Sequence, residues 1–242
     1  MHTNQRDDKT MIKAAIFDID GTLLDSMPIW QDVGRRYLRS LGIEAKADLE
    51  EKLDVLSLPE GVDYIKKEYG LHFPKEEMID NIKQIVKDFY DKEAQLKPGA
   101  KTLVESLAKN NIPMIIATAS DRDMAQAALE RNEIWHFFTG MVTCEEAGAG
   151  KTSPKVFEMA CEILGTGKEE TWVFEDSLYA VQTAAAAGFP VCGVFDEYSR
   201  KDSRQIKECA DLYVNRLTEI SDLQELRRKS DCARHIRLAS ES

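Results

Sequence analysis

Asp18 and Asp20 stand two residues apart at the end of a short apolar run, Ile12 to Ile19, and Gly21-Thr22 follows at once. A run of that length with a polar turn behind it reads as a buried strand whose carboxyl end presents two carboxylates. Three more runs end in a similar way. Ile112 to Thr118 leads into Ala119-Ser120-Asp121, Thr171 to Phe174 into Glu175-Asp176-Ser177, and Pro190 to Phe195 into Asp196-Glu197. A weaker run, Phe138 to Thr143, precedes a loop that holds Lys151. Open α/β sheets bind ligands at the carboxyl ends of their strands, so these groups are expected to meet. Asp18, Asp20, Glu175 and Asp176 together with one lysine and the hydroxyls of Thr118 and Ser120 would be unstable without a cation. Hard oxygen donors in that number suit Mg²⁺.

Helical patterns separate the strands. Leu103 and Leu107 share a face behind Pro98-Gly99; Val156, Phe157, Ala160 and Leu164 share another behind Pro154; Val181, Ala184 and Ala185 follow a start at Ser177. Strand and helix in alternation give an α/β class, with a Rossmann-like parallel sheet carrying helices on both faces. From Met27 to Gln95 only helical periodicity occurs, as in Ile29, Val33, Tyr37 and Leu41, or Ile79, Ile82, Val86 and Phe89. A parallel sheet needs one crossover helix there rather than a bundle. The expected organisation is a discontinuous core, residues 11–26 and 96–225, with an inserted all-helical domain at 27–95. Residues 1–10 and 226–242 are expected to be tails.

Bulk properties narrow the function classes. The formal net charge of −11 repels phosphate backbones and argues against a nucleic-acid partner. No apolar run reaches transmembrane length, and Met1 to Thr10 lacks the apolar middle of a secretory signal. Five cysteines, odd in number and without a C-x-x-C pair, read as reduced thiols of a cytoplasmic protein. A monomer is the default expectation.

Four segments in order resemble the motifs of the haloacid dehalogenase superfamily. They are Phe17-Asp18-Ile19-Asp20-Gly21-Thr22, Ile115-Ile116-Ala117-Thr118, Lys151 in Lys151-Thr152-Ser153-Pro154, and Val173-Phe174-Glu175-Asp176-Ser177. The resemblance covers about residues 11 to 215, and it implies that the helical insert is the cap of the subgroup that includes β-phosphoglucomutase and small-metabolite phosphatases. It further implies a Mg²⁺-dependent phosphatase acting on a small phosphorylated metabolite, a sugar phosphate or similar. Asp18 would be the nucleophile, forming an aspartyl-phosphate. Asp20 would be the general acid and then the base. Asp18, Glu175 and Asp176, with the backbone carbonyl of Asp20, would bind the metal. Thr118, the Ala119 amide and Lys151 would hold phosphoryl oxygens. The cap would open and close on linkers near Met27-Pro28 and Pro98-Gly99.

Plainer readings compete at each place. Asp-x-Asp-Gly is also a common turn after a strand, though it lacks the further ligands of a calcium loop. Gly150-Lys151-Thr152 looks like the end of a P-loop, but Glu145 stands where that motif needs glycine. Lys151 could be a surface lysine. Glu175-Asp176-Ser177 could be an acidic helix start, and Thr118 or Ser120 could cap the helix that begins near Asp121. Trp30 is more simply packing than a substrate platform, and Arg35, Arg36, Lys66 and Lys67 are more simply solvated helix faces. A phosphosugar mutase of the β-phosphoglucomutase type is the nearest alternative activity. Its family type has a histidine near the position of Trp30 and an arginine in the following cap segment, and neither Trp30 nor Leu56-Ser57-Leu58-Pro59-Glu60 supplies them. A dehalogenase lacks the acid/base Asp and the metal. A non-catalytic binding protein of the same fold would be expected to have lost a motif residue, and none is lost.

Overall fold

The computed structural model describes residues 12–53, 56–220 and 223–226. The expected tails, 1–10 and almost all of 226–242, lie outside the described residues. In chain order the strands are β1 (Ala14–Phe17), β2 (Leu24–Asp25), β3 (Gln95–Leu96), β4 (Met114–Thr118), β5 (Met141–Thr143), β6 (Thr171–Glu175), β7 (Val191–Val194) and β8 (Leu212–Val214). The helices are α1 (Met27–Ser40), α2 (Leu49–Leu53), α3 (Leu58–Glu68), α4 (Lys75–Lys92), α5 (Ala100–Lys109), α6 (Arg122–Arg131), α7 (Cys144–Ala147), α8 (Lys155–Leu164), α9 (Leu178–Ala186) and α10 (Ser203–Cys209).

Six strands form one sheet in the order β5-β4-β1-β6-β7-β8, and all its pairs are parallel. The chain runs from β1 outward to β4 and β5, then returns to the other side of β1 for β6, β7 and β8. That reversal makes β1 and β6 the switch point, where a crevice opens at the carboxyl ends. Strands buried on both faces read as continuous apolar runs, and β1, β4 and β6 are buried throughout. Ile16, Ile115, Ala117 and Val173 pack in one cluster with Val156, Phe157 and Ala160 of α8 and Ala180, Val181 and Ala184 of α9. The pleat sends alternate residues to the opposite face. There Phe17 stacks on Phe174 at 4.3 Å between ring centroids.

The chain divides into two compact units between Leu24 and Asp25 and again between Gln95 and Leu96. Both divisions fall inside β2 and β3, which form a two-stranded ribbon of their own. The unit Asp25–Gln95 contains α1 to α4 and has its own core of Tyr37, Leu38, Leu49, Val62, Ile65, Met78 and Ile82. Its basic residues are largely engaged within it. Arg35 makes two hydrogen bonds of 2.6 Å to Glu50, and Arg36 pairs with Asp32 and Glu93. Trp30 is 46% exposed, so the packing role expected for it is corrected. It sits in the first turn of α1, outside the stripe marked by Ile29 and Tyr37.

At the expected linker Pro98-Gly99, Pro98 is exposed and Gly99 is closely approached by the chain near Thr218. Gly99 caps α5 with φ +92°, and a Cβ there would lie 2.3 Å from the Thr218 amide nitrogen. Both the left-handed backbone and the close approach require glycine. Gly99→Ala is therefore expected to cost roughly 2–4 kcal/mol of stability. Urea denaturation would read this, and a loss below about 0.5 kcal/mol, the scale of a neutral surface change, would contradict it.

Candidate active site

The registers place the strand ends side by side. Phe17 is paired with Phe174, and the Asp18 amide donates to the Phe174 carbonyl at 3.0 Å. Asp18 and Glu175 thus leave neighbouring strands at one level, with Asp176 a residue further. Ligand oxygens of Asp18, Glu175 and Asp176 lie within 4.8 Å of one another, and all three residues are buried. Lys151 reaches this group from the loop after α7, a helix whose start is fixed by a capping box between Thr143 and Glu146. Its ammonium donates to Asp18 Oδ1 and to Glu175 Oε1, the latter at 2.7 Å.

The other oxygens are also held. Glu175 Oε2 accepts from the Ser177 amide at 2.8 Å and from Ser177 Oγ at 2.9 Å. Asp176 Oδ1 accepts from Thr22 Oγ1 at 3.3 Å. Gly21 turns the chain after Asp20 at φ +81°, and a Cβ there would stand 2.5 Å from Asp176 Oδ2. Asp20 is only partly buried, and its carboxylate accepts a hydrogen bond from Ser120 Oγ. Thr118 is fully buried, and its Oγ1 accepts from the Ser120 amide at 3.0 Å. Ala119, between them, is exposed.

Electrostatics shows what this arrangement demands. Burial pushes the Asp18 carboxyl up to about 7; Glu175 and Asp20 add to the rise, and Lys151 opposes it. Burial, then Glu175, Asp18 and Asp196, hold Asp176 well above the usual carboxylate range. Burial works to depress Lys151, but the carboxylates of Asp18 and Glu175 outweigh it and keep the ammonium charged. Three buried carboxylates against one ammonium leave an excess of negative charge that part of the cluster can relieve only by retaining protons. The oxygen donors, their mutual proximity and this excess fit a hard divalent cation such as Mg²⁺. Asp20 is not among the three clustered carboxylates; its side chain is turned to Ser120.

A pH dependence follows. In the metal-free protein Asp18 keeps its proton to about 7, whereas the ordinary value is 3.8. The folded state then binds more protons than the unfolded chain across that window. The stability contributed is complete below 3.8 and is lost as pH rises through about 7. The melting temperature of metal-free protein is expected to fall from about pH 5 to about pH 8, and Mg²⁺ should remove most of the fall. A fall that Mg²⁺ leaves untouched would separate it from this cluster.

Some local expectations need correction. Neither Thr118 nor Ser120 caps α6. Asp121 does, its side chain accepting from the Asp123 and Met124 amides, because its carboxylate lies nearer the orphan donors of the first turn. Ser177 precedes α9 without a side-chain cap bond; its hydroxyl turns back to Glu175 instead. Lys151 is 4% exposed, so it is no surface lysine. The sequence reading gave no site role to Thr22 or to the pair Lys97–Asp196, and it read Ser177 as a helix start. Thr22 and Ser177 adjoin the acidic residues in the chain, and that adjacency was the available signal.

Fold and site together define an α/β enzyme with a buried acidic centre at the switch point of a parallel sheet. The sequence profile of the haloacid dehalogenase-like hydrolases matches residues 15–194, and the chain belongs to that family. It is 25% identical over 210 residues to a phosphorylated carbohydrates phosphatase of Thermotoga maritima, covering 86% of this chain and 96% of that one. It is 26% identical over 219 residues to hexitol phosphatase A of Escherichia coli, covering 86% and 93%. A solved β-phosphoglucomutase from Clostridium difficile is similar in fold, with a TM-score of 0.64 and 22% identity over 89% of this chain and 97% of that one. Among the described residues no helix is long and apolar enough to cross a membrane.

Proposed function

We propose that this protein is a Mg²⁺-dependent phosphatase that hydrolyses a small phosphomonoester, a sugar phosphate or similar, through an aspartyl-phosphate on Asp18. The observation that carries the reading is the buried group of Asp18, Glu175 and Asp176 tied by Lys151, with Asp20 alongside on Ser120. The similarity to phosphatases of phosphorylated carbohydrates and hexitols supports the substrate class.

In this reading the Asp18 carboxylate attacks phosphorus, and the bond from phosphorus to the ester oxygen breaks. Asp20, oriented by Ser120, gives its proton to the departing oxygen. Water then attacks the acyl phosphate while Asp20 takes its proton, and phosphate leaves as Asp18 is restored. Thr118, the Ala119 amide and Lys151 hold the phosphoryl oxygens through the transfer. Asp18, Glu175, Asp176 and the Asp20 carbonyl would hold Mg²⁺, which when bound neutralises the cluster and the phosphoryl group.

The test is phosphate release from a panel of phosphomonoesters, hexose phosphates included, with Mg²⁺ and with EDTA. Release that requires Mg²⁺ is expected, with sugar phosphates ranking high. Isomerisation of hexose phosphates without release would replace the reading by a mutase. No turnover of any kind would leave a binding protein.

A further inference from the structure

We propose that Lys97 is a positioning residue for Asp20: its ammonium clamps the Gly21 carbonyl to the turn after β7 and so holds the loop that carries the acid/base group. The inference rests on the hydrolytic reading above. Lys97 lies one residue beyond β3, and its amide donates to the Leu23 carbonyl at 2.8 Å. Its Nζ donates to Gly21 O at 2.5 Å, to Phe195 O at 2.6 Å and to Asp196 Oδ2 at 2.8 Å. An ammonium has three donors, and all three are engaged. The side chains of Lys97 and Asp196 are 12% and 6% exposed.

This geometry excludes some roles and favours one. An ammonium with each donor occupied, in a nearly buried pocket, is not placed to bind a phosphoryl oxygen, as Lys151 is. Its partners are two backbone carbonyls and a carboxylate from segments 76 to 99 residues away in the chain. The other Asp196 oxygen accepts from the Tyr198 amide at 2.9 Å, which anchors the far side of the clamp. On the near side the Gly21 peptide is bounded by Asp176, whose Oδ2 lies 2.5 Å from where a Cβ would be. Held at its carbonyl and blocked at its Cα, Gly21 leaves the preceding residue, Asp20, little freedom of main-chain position. Ser120 then sets only the direction of the carboxylate.

Lys97→Met alone leaves the buried Asp196 carboxylate without its cation, and such a loss is destabilising. The double variant Lys97→Met with Asp196→Asn removes the clamp without stranding a charge, since Asn can still accept from Tyr198. The readout is kcat/KM, which reports phosphoryl transfer to the enzyme, for a hexose phosphate and for 4-nitrophenyl phosphate, each with Mg²⁺. An alkoxide needs the proton of Asp20 to leave, whereas nitrophenolate does not. Relative to Asp196→Asn, the double variant is expected to lose roughly 10- to 100-fold on the hexose phosphate. Its loss on the nitrophenyl ester should be less than about 3-fold on the same grounds. Equal losses on both esters, or none on either, would overturn the role of Lys97 while leaving the phosphatase intact. Absence of Mg²⁺-dependent release by the unmodified protein would overturn both readings together.

Discussion

Asp18→Asn should lower kcat for the best phosphomonoester by roughly 10⁴-fold or more, because an amide cannot form the acyl phosphate. The fold should survive the change. Asp18 is buried, and Glu175 and Asp20 disfavour its charged form, so it is raised to about 7 despite the hydrogen bond from Lys151. A neutral isostere in that position relieves repulsion against the remaining carboxylates and can still accept from Lys151. The metal-free variant is therefore expected to melt no lower than the unmodified protein above about pH 7, where the charged form of Asp18 is most costly. Phosphate release and thermal melting, read side by side, check both halves. Activity within tenfold of the unmodified protein would remove Asp18 as the nucleophile, while inactivity with a large fall in melting temperature would leave the chemical role undecided and call for Asp18→Glu.

The second large effect is expected from Lys151→Met. Lys151 is 3% exposed at its side chain, between Asp18 and Glu175, which are 8% and 1% exposed. Removing the cation from a buried ion group leaves the other charges uncompensated, and such losses run to roughly 3–5 kcal/mol. Retained protons on the cluster would soften the loss at low pH, so it should be largest at neutral pH and above in EDTA, and Mg²⁺ should recover part of it. Activity should fall by roughly 10²- to 10³-fold, since the phosphoryl oxygens lose their fixed cation. Lys151→Arg should not restore it. The planar guanidinium is bulkier than the ammonium, and the pocket is closed in part by Phe157, whose ring centroid lies 5.8 Å from Nζ. Urea denaturation with and without Mg²⁺ gives the stability term, and initial rates give the other. Unchanged stability together with near-normal rates would make Lys151 a bystander.

Much of the fold was legible in the sequence because its signals are local. Buried strands at the centre of a parallel sheet are apolar at every position, and β1, β4, β6 and β7 stood out for that reason. β8 did not: it has three residues, two only partly buried, at the edge of the sheet. The ribbon of β2 and β3 has two residues in each strand, too few for any period to register. In the weak run Phe138 to Thr143 only the last three residues pair as a strand; a 3₁₀ turn at Trp135–Phe137 immediately precedes the run. The helices α1 to α4 were legible because apolar residues at three and four recur along residues 27–94.

By itself, the sequence determined which carboxylates stand at the carboxyl ends of the central strands. Strand period and turn chemistry act over a few residues, so the positions of Asp18, Glu175 and Asp176 follow from where the apolar runs stop. The tertiary structure alone decided how these groups are divided among partners. Asp20 stands two residues from Asp18 and was expected to meet the same group, yet Asp18 faces Lys151 and Asp20 faces Ser120, a residue 100 positions away. Lys97 adjoins the expected linker Pro98-Gly99 and is a largely buried ammonium joined to Gly21, Phe195 and Asp196. Which carboxylate finds which donor in a buried site depends on distances of a few ångströms between segments far apart in the chain. Sequence spacing does not encode those distances; the register of β1 with β4 and β6 sets them.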